Sequence, residues 1–371
     1  MSFVLIQGYA TPDGTSRCRE RHADHLPGLY RQSRGLWLSS IGLGTYLGEP
    51  TEEVDKQYTQ TGVQAVRAGM NVFDTAVNYR HMHSERAVGR AISELISSGI
   101  ARRDELLLAT KGGFLAYDGK EPADPAAYFQ ARLVRTGLVK PEEIVADCHT
   151  LSPRYLEHQI DVSRGNLGVE AIDLYYLHNP ETQLQEVSRE EFLRRLRLAI
   201  AALEQAVADG RIRMYGAATW NGFRVQADSQ EAISLEEILR VARETGGQNH
   251  HFAAIQLPFN IAMPEALTAN TQVSNGRRAP LLHVAREHGL MVFSSATLLQ
   301  SHLAAGLPAE FQQSIPGLAT DAQRAIQFVR STPGITCALV GMSRREHLEE
   351  NIATASRPPL SLADYRKIFQ K

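Results

Sequence analysis

The sequence predicts a closed (β/α)8 barrel, the α/β architecture called a TIM barrel. Three observations carry this. Eight strand-like runs alternate with helix-like stretches, most connections are short, and side chains with useful chemistry follow several strand ends. In such a barrel the strand ends converge on one face, where active sites are built.

Taken in order, the strand-like runs are 38–45, 71–76, 106–111, 172–178, 214–220, 252–258, 290–296 and 335–341. The helix-like stretches between them are 53–68, 84–97, 153–167, 235–245, 280–288, 321–331 and 344–354. A further helix carries Phe192, Leu196, Ile200, Leu203 and Val207, whose spacings of three and four make one apolar stripe, and it ends near Asp209-Gly210. Alternation with short connections calls for parallel strands joined by right-handed crossovers. An open doubly wound sheet would keep the same alternation, but eight units in about 300 residues suit closure better. The run from Gly42 to Gly48 is glycine-rich yet lacks the spacing of a dinucleotide-binding turn, so it reads as a strand end.

Two features break the rhythm. An N-terminal arm precedes Leu38, with Pro12, Gly14, Pro27 and Gly28, and is expected to plug the far face of the barrel. A long loop after strand 3, residues 112–152, far exceeds an ordinary barrel connection and contains Gly112-Gly113, Gly119, Pro122 and Pro125. It leaves the strand end that delivers Lys111, so it is expected to act as a lid, with Phe114, Tyr117, Tyr128 and Phe129 available to a substrate. The whole chain, 1–371, reads as one barrel domain.

Composition narrows the function. The 371 residues are 43% hydrophobic and 22% charged, with a net charge of -2. There is no long basic block, so neither nucleic acid nor an anionic membrane is an evident partner, and a small molecule is expected. Three cysteines, Cys18, Cys148 and Cys337, are too few and too scattered for a disulfide framework, which fits a reducing cytoplasm. No leader pattern and no membrane-length apolar run is present, so a soluble, unexported protein is expected.

The strand ends supply an acid, Asp74; a phenol, Tyr79; an amine, Lys111; and an imidazole, His178. A tyrosine can give a proton to a carbonyl oxygen while hydride attacks the carbon. Its ordinary pKa of about 10 calls for a nearby cation, which Lys111 can be. Asp74 on the adjacent strand would hold Lys111 charged, and His178 would orient the oxygen. Each residue alone has a structural explanation, but a lysine at a buried strand end is rare without a partner.

These residues also carry a family resemblance. The runs Phe73-Asp74-Thr75-Ala76 to Tyr79, Ser84-Glu85-Arg86-Ala87-Val88-Gly89, Ala109-Thr110-Lys111 and Ile172-Asp173-Leu174-Tyr175-Tyr176-Leu177-His178 resemble the aldo/keto reductase family. Gly44-Thr45, Gly216, Gln256 and Glu350-Asn351 add to the likeness, which extends roughly from residue 36 to residue 354. It implies NADPH- or NADH-dependent reduction of an aldehyde or ketone, with Asp74, Tyr79, Lys111 and His178 as the catalytic tetrad. It further implies a cofactor site from Gly44, Thr45, Tyr46, Asp74, Thr219, Gln256, Ser294, Ser295, Gly341, Ser343, Arg344, His347, Glu350 and Asn351.

Several of those positions depart from the family pattern. Ala218-Thr219 stands where a Ser-Asn pair is usual, Ser295 where a stacking tyrosine is usual, Gly341-Met342 for a Lys-Ser pair and His347 for an arginine. Ser343 and Arg344 remain at a predicted helix start that suits a phosphate, and NADP(H) is favoured over NAD(H). Ser343 with Glu346 equally matches a capping box.

Tyr46, His81, Phe114 and Trp220 are candidate substrate contacts. His81-Met82-His83 and His250-His251 lack zinc-pair spacing, so no metal is expected. Arg194, Arg195 and Arg197 read as a solvated helix face. Two other readings stay open: a Schiff-base lyase using Lys111, and a nicotinamide-binding regulatory subunit of slow turnover.

Overall fold

The computed structural model describes residues 5–24, 26 and 28–369. Pro27 of the arm lies outside them. Eight parallel strands close into a barrel: β1 (Ile41–Gly44), β2 (Val72–Asp74), β3 (Leu107–Gly112), β4 (Ile172–His178), β5 (Ile212–Ala218), β6 (Phe252–Pro258), β7 (Met291–Ser295) and β8 (Cys337–Gly341). Each is followed by a helix: α1 (Glu52–Arg67), α2 (His83–Ser97), α3 (Pro153–Leu167), α4 (Arg189–Ala208), α5 (Leu235–Gly246), α6 (Leu281–Glu287), α7 (Asp321–Ser331) and α8 (Arg345–Ala355). The predicted alternation and closure both hold.

Local chemistry explains the helix starts. Thr51, Ser188, Ser234 and Thr320 accept from backbone amides at the heads of α1, α4, α5 and α7, and Gln323 completes a capping box on α7. All five residues of the predicted α4 stripe are buried. Gly216 is required where β5 passes β6, since a Cβ there would lie 2.1 Å from the Ala254 carbonyl oxygen.

The predicted first strand divides in two. Leu36–Ser39 pairs antiparallel with Tyr30–Ser33, and only Ile41–Gly44 joins the barrel. The reason is that Leu36 and Leu38 are spent on plugging: they pack with Val72, Leu107, Leu174, Met291 and Phe293 inside the barrel. Burying a leucine is worth roughly 1.5–3 kcal/mol, enough to hold the hairpin against the floor. The arm is anchored at the same end, where the Ala10 amide donates to Asp173 Oδ1 at 2.6 Å and Arg103 meets Asp173 Oδ2 at 2.7 Å. β2 also stops earlier than predicted, at Asp74, after which the Thr75 amide turns to the Ala109 carbonyl. β5 ends at Ala218 rather than at Trp220.

No helix among the described residues is long and apolar enough to cross a membrane.

Candidate active site

The C-terminal strand ends surround a cavity of about 450 Å3, lined by Gly44, Asp74, His178, Ala218, Gln256, Ser295 and Gly341 among others. Lys111, wholly buried in β3, sits beneath it and donates from Nζ to Asp74 Oδ1 at 2.6 Å and to the Thr75 carbonyl at 2.8 Å. Gln256 Nε2 donates to the other carboxylate oxygen, Asp74 Oδ2, at 2.7 Å. Lys111 Nζ lies 4.7 Å from the centre of the Tyr79 ring, which in turn is 5.7 Å from the His178 ring. The four residues predicted from the strand ends are therefore brought together.

Burial strips charge from these groups, and their partners decide which ones keep it. For Lys111 burial alone would lower the pKa, but attraction to Asp74 and Tyr79 outweighs it and holds the ammonium. For Tyr79 burial pushes the phenol up, and Lys111 offsets only part of that, so the net shift is upward. Lys111 thus acts on Tyr79 in the expected direction, but burial outweighs it. His178 lies well below the usual histidine range because of burial, then Lys111, then His149, so its imidazole is neutral.

Ten of the fourteen predicted cofactor positions fall into two places. Gly44, Thr45, Tyr46, Asp74, Thr219, Gln256, Ser295 and Gly341 line the cavity. Ser343 and Arg344 line a separate groove between α1 and α8, together with Arg67 and Arg345. Ser294 is fully buried and its hydroxyl donates to the Phe259 carbonyl at 2.7 Å, so it does not reach the cavity. His347 is exposed on α8, the Glu350 carboxylate accepts from Thr320 Oγ1, and buried Asn351 Nδ2 points to Met342 Sδ at 3.6 Å.

Two features of this structure fit a dinucleotide. Thr219 Oγ1, on the cavity wall, is buried without a partner. The first turn of α8 has no side-chain cap: Arg344, not Ser343, is the cap residue, which overturns the capping-box reading of Ser343. Its free amides and Arg344 suit a phosphate.

Of the candidate substrate contacts, Tyr46, Phe114 and Trp220 line the cavity and His81 does not; its ring lies 5.5 Å from that of Tyr117. Tyr117 stacks on Phe129, and Phe129 belongs to a small core with Leu115, Leu133, Val139 and Tyr155. Of the four aromatic residues of the loop after β3, Phe114, Tyr117, Tyr128 and Phe129, Phe114 alone lines the cavity. His83 is held by Asp55 and the Gly119 carbonyl, and His251 by Glu204. Arg195 is not a solvated residue, for it bonds Glu191, Gln183 Oε1 and the carbonyls of Glu142 and Glu143.

Sequence reasoning missed several neighbours of the site. Arg80, Met82 and His81 take left-handed backbone angles directly after Tyr79, and Arg80 is buried against Asp55 at 2.6 Å. Glu181, almost wholly buried, holds the loop after β5 by accepting from the amides of Trp220 and Asn221. His149 supports His178 from behind. The sequence carries no signal for them, since each depends on a partner far along the chain.

The family that the sequence matches is a class of NAD(P)H-dependent barrel oxidoreductases. The chain belongs to the aldo/keto reductase family, which residues 40–303 match. It is 24% identical over 337 residues to the NADH-specific methylglyoxal reductase of Escherichia coli, covering 86% of this chain and 90% of that one. It is 23% identical over 340 residues, 88% of each chain, to a Schizosaccharomyces pombe protein named for the voltage-gated potassium channel β subunits. An aldo/keto reductase from Klebsiella pneumoniae, solved with NADP and acetate, superposes with a TM-score of 0.59 at 20% identity, covering 92% of this chain and 95% of that one.

Proposed function

We propose that Asp74, Tyr79, Lys111 and His178 carry out the reduction of an aldehyde or ketone in this cavity. The observation that carries the assignment is the buried Lys111–Asp74 contact of 2.6 Å beneath the Tyr79 ring. When bound, the reduced nicotinamide supplies hydride to the carbonyl carbon. Tyr79 gives its phenolic proton to the oxygen, and neutral His178 offers a ring N–H to the same oxygen. Lys111 steadies the phenolate left behind, and Asp74 keeps Lys111 charged. Thr219 and Gln256 would hold the carboxamide end.

NADP(H) is the proposed cofactor. Arg344 beside the uncapped start of α8 supports it, as does the bound NADP of the Klebsiella pneumoniae protein. The Escherichia coli relative is named for NADH, so the two cofactors must be compared directly. Segment 112–152 is proposed as the lid. In support, it brings Phe114 to the cavity, and its Gly119 amide bonds to the His81 carbonyl in the loop that follows Tyr79.

The likeness to a channel β subunit favours one second reading, a nicotinamide-binding regulator of slow turnover. Against the Schiff-base reading, Lys111 is held as an ammonium with its protons directed to Asp74 and Thr75, whereas a nucleophilic amine must be neutral. The test is loss of nicotinamide absorbance with NADPH or NADH and a panel of carbonyl compounds, alongside Tyr79→Phe. Turnover that vanishes in the variant supports the assignment. A folded protein that oxidises neither cofactor sinks it and favours the regulator.

A further inference from the structure

Glu181 is a carboxylate buried almost completely and without a cation. Among the described residues it forms no ion pair, and its second oxygen, Oε2, has no partner. Oε1 instead accepts from three successive amides, those of Trp220 at 2.6 Å, Asn221 at 3.1 Å and Gly222 at 3.3 Å. These amides open a turn in which the Arg224 and Val225 amides bond back to the Asn221 carbonyl. Like the first N–H groups of a helix they need an acceptor from outside, and Glu181 caps them from another loop.

The contact ties the candidate catalytic imidazole to the far wall of the cavity. Glu181 follows His178 closely in the chain, and between them Asn179, left-handed at φ 44°, sends its amide to the Ala218 carbonyl at 2.6 Å. On the other side of the contact, Thr219 and Trp220 line the cavity, as His178 and Asn179 do. Trp220 is 42% exposed, so packing alone does not fix it. The loop runs close over Glu181, since a Cβ at Gly222 would lie 3.2 Å from the Glu181 Cβ. A second tether is longer, with Arg224 Nη1 donating to the Trp220 carbonyl at 3.3 Å.

We propose that Glu181 is a positioning residue. By holding the first amides of the loop after β5, it sets Thr219 and Trp220 at a fixed reach from His178, and the carbonyl compound and the nicotinamide are gripped between them. Glu181 itself touches neither. This rests on the reading of the site given above.

The test uses the full-length protein with NADPH and NADH and with 4-nitrobenzaldehyde as the carbonyl probe. Three replacements separate reach from charge. Glu181→Gln keeps an acceptor oxygen at the same reach, and KM for aldehyde and cofactor should stay within about threefold of wild type. Glu181→Asp keeps the charge but draws its oxygens back, and Glu181→Leu offers no acceptor. Both should raise KM at least about tenfold with kcat within about threefold, because Tyr79, Lys111 and His178 are untouched. Should Glu181→Leu fail to fold, Glu181→Asp decides. A variant that only destabilised the fold would lose kcat in step with its folded fraction and keep its KM. That result overturns the proposal, as does an unchanged KM in Glu181→Asp or an impaired Glu181→Gln beside a normal Glu181→Asp.

Trp220 fluorescence separates failure of this proposal from failure of the reductase reading. In a Trp37→Phe background Trp220 is the remaining tryptophan. Glu181→Asp should lower its anisotropy and raise its quenching by acrylamide about twofold, whereas Glu181→Gln should match the parent. Absence of turnover by the wild type with either cofactor would end the reductase reading and leave this measurement to decide. A Trp220 as immobile and as shielded in Glu181→Asp as in the parent overturns the proposal, with or without turnover.

Discussion

His149 Nε2 donates to the main-chain carbonyl of His178 at 2.8 Å, while its Nδ1 accepts from Gln183 Nε2 at 2.9 Å. Those two partners require a neutral ring with its proton on Nε2. Phe114 fills the angle between the two histidines, 5.1 Å from one ring and 5.0 Å from the other. A histidine in the segment after β3 therefore braces the strand end that carries the candidate catalytic imidazole.

The burial of His149 makes stability depend on pH. Burial pushes the His149 pKa down to about 4, outweighing its bond to His178. The unfolded chain, with an ordinary histidine pKa near 6.5, then binds the extra proton first, so stability falls as pH drops from about 6.5 to about 4. The expected loss is about 3 kcal/mol. Urea midpoints across that range should show it, and His149→Gln should reduce the slope, leaving the part due to His178; an unchanged slope would remove His149 as a source.

Lys111→Met is expected to abolish activity and also to destabilise the fold by about 3–5 kcal/mol, because Asp74 would be left buried beside Gln256 alone. Lys111→Met with Asp74→Asn should recover most of the stability and none of the activity. Thermal denaturation and turnover of both variants check this. A double variant as unstable as the single one would show that the unpaired carboxylate is not the cause.

Tyr79 holds its proton more tightly than an ordinary tyrosine, because burial outweighs the pull of Lys111. Carbonyl reduction should accordingly stay level through neutral pH and decline only above about pH 10. A decline near neutrality in the pH profile of kcat would contradict this assignment of the donor.

Arg80 takes a left-handed backbone at φ 49° while its guanidinium pairs with buried Asp55. Arg80→Ala should cost about 3 kcal/mol of stability. Arg80→Gly should lose roughly 1 kcal/mol less, because glycine takes that backbone without strain. Equal losses in denaturant titrations would mean that the strain is not stored there.

The alternation of apolar runs with helical stripes was enough to place eight strands and eight helices, because each element's period reflects which of its faces is buried. The strand-end positions of Asp74, Lys111 and His178, with Tyr79 close behind, were legible for the same reason: parallel strands in a barrel end on one face. The split at Ser40 was not legible, because Leu38 looks like a barrel residue until the arm folds under the barrel. Nor was the placement of Ser294, whose hydroxyl is taken by the Phe259 carbonyl just past the end of β6. The left-handed turn at Arg80, the support from His149 and the upward shift of Tyr79 depend on partners far along the chain and on how completely water is excluded. Local sequence by itself determined the order of elements and the chemical groups delivered to the barrel mouth. Tertiary structure decided which of those groups touch and which keep their charge, since burial and long-range contacts arise only once the barrel closes.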